Sequence, residues 1–179
     1  MKVNVNPAIF KAYDIRGIYP QDISGEGAFL IGRAFVGFLE KTRTKKSGKL
    51  KIAVGRDNRY SGPILSRNLI NWITCMGADV IELGLITTPM LYFAVARYHY
   101  DGGIIITASH NPKSYNGFKM VHGDVRPNGQ GSGMETIRDR FLSDETFKPS
   151  KSQGTVTDDP NALTAYLDKI FSLVDVTTI

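Results

Sequence analysis

Three consecutive isoleucines, Ile104, Ile105 and Ile106, stand between Gly103 and a polar run that begins at Thr107. A β-branched run of this length fits a strand covered on both faces, and no other stretch limits the possible folds so much. The sequence supplies the covering layers. Ala28, Ile31, Phe35, Phe38 and Leu39 recur at three- and four-residue steps, which puts them on one face of a helix over 25–42. Residues 51–54 read as a short buried strand broken by Gly55. Leu65, Leu69, Trp72, Ile73 and Met76 repeat the helical step over 63–76, with Ser61 as N-cap, Pro63 in the first turn and Gly77 past the end. A strand over 78–83, a helix over 90–98 and a shorter strand over 118–121 complete the series.

Strands alternating with helices imply crossover connections and a mainly parallel sheet covered on both sides. The connection from Thr107 to Phe118 is too short for a crossover helix, so the last strand is expected to run antiparallel to its neighbour. The expected class is therefore α/β, a three-layer α/β/α domain with a mixed, mainly parallel sheet. A Gly-rich loop over 121–133 precedes a short helix with Met134, Ile137 and Phe141 inward. Residues 143–157 read as a linker or extended surface segment. Asp159 and Pro160 then open an amphipathic helix whose Leu163, Tyr166, Leu167, Ile170, Phe171 and Val174 share a face. The expected division is one domain over 1–150, then a linker and the start of a truncated second domain over 151–179. The 160–174 helix is the expected surface for homo-oligomer formation.

Composition narrows the classes. In 179 residues, 42% are hydrophobic and 22% charged, which is ordinary globular usage and argues against a disordered or repeat-built chain. Cys75 is the only cysteine and cannot form an internal disulfide, so a reducing, cytoplasmic setting is expected. The N-terminal ten residues lack the apolar core of a secretory signal. The most apolar stretch, 85–96, falls short of the roughly 20 residues of a membrane helix, so no membrane association is expected. The isoelectric point is about 9.3, but Lys41, Arg43, Lys45, Lys46, Lys49 and Lys51 crowd into one segment without an aromatic residue. That pattern fits a solvated loop better than a nucleic-acid surface. The remaining positive charge suits a small anionic substrate.

Residues 103–121, GIIITASHNPKSYNGFKMV, hold the densest chemistry. A buried strand ending in a polar loop presents side chains at the carboxyl edge of an α/β sheet, where ligands bind. Thr107, Ser109, His110, Asn111, Lys113, Asn116 and Lys119 would gather there. Acyl hydrolysis is disfavoured, because adjacent Ser and His side chains tend to diverge, no G-x-S-x-G elbow surrounds Ser109, and a third group is missing. Two readings stand at this point. Ser109 carries a phosphoryl group with Lys119 and His110 as charge-stabilising donors, or the loop is structural, its Asn and Ser side chains capping turns at Pro112 and Gly117. Arg56, Asp57 and Arg59 follow a strand and precede a helix N-terminus, which makes either an anion site or ion pairs that hold the loop. His99 and His122 lack partners at ligand spacing for zinc. Gly129, Gly131 and Gly133 lack the spacing of a dinucleotide fingerprint and read as loop.

TASHNP followed by YNGFKM resembles the signature of the α-D-phosphohexomutases, the phosphoglucomutase and phosphomannomutase family. FKAYDIRG at 10–17, GRDNRYSG at 55–62 and GLITTP at 84–89 resemble further motifs of that family, in its order. The resemblance covers about 10–121 and implies the N-terminal, catalytic-serine domain. It implies Ser109 as phosphoserine donor and, through its phosphate, a magnesium ligand, with the remaining ligands outside this chain. Lys119 and His110 become candidates for proton transfer and charge stabilisation, and Arg16 the arginine beside the phosphoserine. Arg16 as a surface ion pair is the competing reading. Tyr13, Arg16, His110, Asn111 and Lys119 would contact substrate, and Arg56, Asp57, Arg59 and Thr107 would support them. Implied too are hexose phosphates as substrates, a hexose 1,6-bisphosphate as intermediate and activator, and further C-terminal domains, without which the chain would be inactive. A stand-alone phosphosugar-binding or assembly domain is the alternative.

Overall fold

The computed structural model describes residues 6–43, 47–143 and 148–174. Lys45 and Lys46 of the basic run, the first five residues, 144–147 within the expected linker, and 175–179 lie outside them. After a short 3-10 helix at Pro7–Ile9, the elements are β1 (Ile15–Ile18), α1 (Gly25–Thr42), β2 (Lys51–Arg56), α2 (Gly62–Cys75), β3 (Asp79–Leu85), α3 (Thr88–Tyr98), β4 (Gly102–Ile106), β5 (Tyr115–His122), α4 (Met134–Leu142), β6 (Val156–Asp158) and α5 (Ala162–Phe171). One six-stranded sheet has the order β1-β5-β4-β2-β3-β6. The β2/β3, β2/β4 and β3/β6 pairs are parallel, and β4/β5 and β1/β5 antiparallel.

The isoleucine run lies in the middle of this sheet and serves both layers. Ile104 and Ile106 join Ile52, Val54, Phe118 and Met120 under α1, α2 and α4. Ile105 joins Ala53 and Val121 on the opposite face, beneath Leu91, Ala94 and Val95 of α3. Period-two alternation explains the division. Strand β4 is buried at every residue because neither face reaches solvent. The three-layer α/β/α architecture with a mixed sheet is the class that the sequence implies.

Several local details differ from the sequence pattern. Ser61 occupies the N-cap position of α2, but its hydroxyl makes no capping bond; it accepts from Asn116 Nδ2 at 2.8 Å. Its αR backbone (φ −79°, ψ −13°) departs from the extended conformation of a capping residue. Strand β1 has no counterpart in the periodicity reading, since IRGI is short and contains a glycine; β5 is longer than expected because its first residues pair with β1. The expected linker over 143–157 ends inside the sheet, where Val156 and Thr157 pair with Val80 and Ile81. Asp158 likewise pairs with Glu82, and Asp159 accepts from the Asn161 backbone just before α5. Helix α5 rests on α3 through Ala162 and through an edge-to-face contact of Tyr166 with Phe93.

Candidate active site

From β2 the chain passes through α2 to β3 on one side, then returns through α3 to β4 on the other side of β2. The switch point between β2 and β4 opens a crevice beyond their carboxyl ends, where ligands bind in open α/β sheets. The loops leaving those ends, 57–61 and 107–114, carry the polar residues singled out above.

Ser109 is exposed and has φ 53°, a left-handed conformation that is costly for a residue with a Cβ. Its N–H donates to Thr107 Oγ1 at 2.9 Å. Its Oγ lies 3.0 Å from His110 Nδ1. The expectation that neighbouring Ser and His side chains diverge therefore fails, because the left-handed residue reverses the chain and turns both to the same side. With Nδ1 bare, the imidazole accepts the hydroxyl proton. The turn continues through Asn111 N–H to Ala108 O and Tyr115 N–H to Pro112 O.

Beside the turn lies a charged network. On β1, opposite Gly117 of β5, Arg16 donates to Asn111 Oδ1 at 2.6 Å and to Asp14. Lys119 Nζ is 3.4 Å from the same Asp14 oxygen. Asp14 is only 8% exposed, so one buried carboxylate orients both cations. The sequence reading omits Asp14. No local pattern marks it, because it lies at a bend before β1 and gains its role only where β1 meets Lys119 of β5. Close approach of β1 depends on Gly117, where a Cβ would collide with the Ile15 carbonyl.

Not every candidate reaches the centre. Asn116 is fully buried and donates to Ser61, while Lys113 is exposed on the outer turn. Tyr13 is 73% exposed, its ring against Gly129. Arg59 reaches across from the β2 loop to carbonyls of the serine loop and pairs with Asp57; Arg56 leans on the Asp57 carbonyl at 3.4 Å. His99 caps α3 in the left-handed region, and His122 bonds Ser132 O at 2.9 Å. Among the described residues no three His, Cys, Asp or Glu side chains gather as a metal site. Asp14 and Asp57, the acids near the serine, are already paired with cations. These residues alone do not hold magnesium. No described helix is long and apolar enough to cross a membrane.

Fold and site together define a three-layer α/β domain with a strained serine loop at its switch point. The profile of phosphoglucomutase/phosphomannomutase, alpha/beta/alpha domain I, matches residues 7–147, and the chain belongs to that family. It is 40% identical over 152 residues to a phosphoglucomutase of Neisseria gonorrhoeae, covering 84% of this chain and 31% of that protein. It is 40% identical over 135 residues to a phosphomannomutase/phosphoglucomutase of Pseudomonas aeruginosa, covering 75% and 27%. A Burkholderia thailandensis family structure superposes with TM-score 0.79 at 32% identity, over 97% of this chain and 37% of that one. The chain thus spans about a third of the length of the curated relatives it matches.

Proposed function

We propose that this chain is the serine-bearing N-terminal domain of a phosphohexomutase that interconverts hexose 1-phosphate and hexose 6-phosphate. The observation that carries this reading is Ser109 itself: exposed, left-handed, in contact with His110, and on a turn tied to Arg16. In the forward step the phosphorus–Oγ bond of phospho-Ser109 breaks as a bond forms to a hexose hydroxyl, whose proton passes through His110 to the freed Ser109 oxygen. The hexose 1,6-bisphosphate then returns its other phosphoryl group to the Ser109 hydroxyl. Arg16, Asn111 and Lys119 stabilise the charge on the moving group, since phosphoryl transfer rests mainly on positioning and electrostatics.

In this reading the serine domain includes β6, which completes its sheet, and the segment from α5 onward leads into a second. Magnesium would take the Ser109 phosphate as one ligand and its other ligands from beyond this chain. Efficient turnover is therefore expected only with the remaining length of the relatives supplied, and the setting is the cytoplasm.

Incubating the chain with glucose 1,6-bisphosphate, followed by intact mass and peptide mapping, tests the assignment. Phosphate is expected on Ser109 and absent from Ser109→Ala. Phosphate on another serine alone removes the donor role, and no uptake even with the remaining length of the relatives supplied favours a non-catalytic phosphosugar-binding domain.

A further inference from the structure

The side chain of Arg59 has no hydrogen-bond donor to spare. A guanidinium carries five N–H groups. Here Nε donates to Asp57 Oδ2 at 3.2 Å. One terminal nitrogen donates to Pro112 O at 2.7 Å and Tyr115 O at 2.9 Å. The other donates to Ser109 O at 2.9 Å and Asn111 O at 2.7 Å. The Asp57 carboxylate also accepts from the Arg59 backbone N–H at 3.0 Å, which fixes the pair as a unit.

From this saturation we infer that Arg59 is a positioning residue of the serine loop and makes no contact with the phosphate. This inference rests on the reading of Ser109 as phosphoryl carrier. The Ser109 peptide groups are held at both ends, the N–H by Thr107 and the carbonyl by Arg59, so the left-handed conformation is imposed from two elements at once. Four carbonyls converging on one cation also orient their peptides. Because a trans peptide points its N–H opposite its carbonyl, the His110 and Lys113 amides face away from Arg59. Lysine cannot replace this arrangement: its single nitrogen has three donors for five bonds to four carbonyls and a carboxylate.

The test uses the full chain with Arg59→Lys and Arg59→Ala, read by hydrogen exchange of peptides within 107–116 and 25–42 and by the rate of phosphate uptake from glucose 1,6-bisphosphate. Both variants are expected to exchange the Asn111 and Tyr115 turn amides faster by about tenfold or more, with α1 protection unchanged. The maximal uptake rate should fall by about tenfold to a hundredfold, as misplaced reacting groups do, at an unchanged half-saturating bisphosphate concentration. Methylguanidinium should restore part of both readouts in Arg59→Ala and neither in Arg59→Lys, whose stem fills the site. A raised half-saturating concentration with an intact maximal rate means that Arg59 touches the ligand and overturns the inference. So does wild-type exchange of the loop in Arg59→Ala. If Arg59→Ala loses α1 protection as well, Arg59→Lys decides by the same criteria. If the parent chain takes up no phosphate even with the remaining length of its relatives supplied, the phosphoryl-carrier reading fails, while the exchange and methylguanidinium arms still decide whether Arg59 holds the loop.

Discussion

The serine loop and helix α5 are the two regions of this molecule that the sequence marks most strongly, and they are held in opposite ways. The loop is polar and exposed at Ser109, yet hydrogen bonds to Thr107 and from Arg59 and Arg16 tie its turns. Helix α5 is rich in apolar side chains, yet only Ala162 is buried, and Leu163 and Phe171 remain 53% and 59% exposed. Order in the first comes from donors matched to acceptors within one domain. The second has hydrophobic surface that its own domain uses on one side only. A polar segment can therefore be the rigid one and an apolar segment the loosely held one, because rigidity follows the number of satisfied partners rather than hydropathy.

The largest expected effect falls on the scaffold of the loop. Gly117→Ala places a methyl group against the Ile15 carbonyl, which is backbone and cannot rotate away. Strand β1 must move from β5, taking Asp14 and Arg16 with it. We expect a loss of about 3 kcal/mol in urea denaturation, at the upper end of overpacking costs, and loss of Ser109 phosphorylation. A variant of unchanged stability would mean that β1 contributes little to the rigidity of the loop.

Asp14→Asn comes next. It removes the negative charge shared by Arg16 and Lys119 while keeping the shape and one acceptor oxygen. Breaking a fully buried pair costs roughly 3–5 kcal/mol; both cations here are partly exposed, so about 2 kcal/mol is expected, with slower phosphate uptake. Unaltered stability and uptake together would remove Asp14 from the site.

How much of this was legible in the sequence follows from the same contrast. The central strand and its helices are legible because Ile104 to Ile106 and the apolar steps of α1 and α2 are local patterns with one physical solution. The positions of Ser109 and His110 at the crevice follow from a strand ending in a polar loop, whereas Arg16 is placed only by the family resemblance. Strand β1 is not legible, since four residues with a glycine acquire strand character only by pairing with β5. Asp14, the Ser61–Asn116 bond and the Arg59 clamp join residues 50 to 105 positions apart or depend on a backbone reversal, and no local periodicity encodes them. Strand β6 is hidden for the same reason, being three exposed residues recruited by the edge of β3.

On α5 the two faces should respond differently. Tyr166→Ala removes the ring packed edge-to-face on Phe93 and is expected to cost about 1 kcal/mol. Leu163→Ser combined with Leu167→Ser, on the uncovered side, should stay within about 0.5 kcal/mol. The same pair of substitutions should abolish concentration-dependent association in light scattering, which the parent chain is expected to show because the apolar stripe can be covered by a second copy. Destabilisation by the serine pair equal to that of Tyr166→Ala would mean that both faces of the helix are packed within this chain.

The smallest effect concerns the edge that joins the sheet to the segment before α5. Asp79 at the start of β3 accepts from the Thr155 backbone N–H at 2.8 Å and from its hydroxyl at 3.0 Å. The backbone bond is the main cause that holds the carboxyl below its ordinary range; the hydroxyl, Lys49 and Lys51 add to it against the opposing effect of burial. A carboxyl whose pKa is depressed by folding stabilises the folded state above its unfolded pKa, and that contribution disappears as pH falls through the folded value. Asp79 is largely solvated, so the contribution is screened to under about 0.5 kcal/mol. It should nevertheless be visible locally. At neutral pH, Asp79→Asn should exchange the amides of β6 faster than the parent while leaving β4 unchanged, and the difference should shrink toward acid pH as the parent carboxyl takes up its proton. A difference that persists undiminished into acid pH would show that the charge of Asp79 is irrelevant and that backbone pairing alone, Val80 to Thr155 and onward along β6, holds this edge of the sheet.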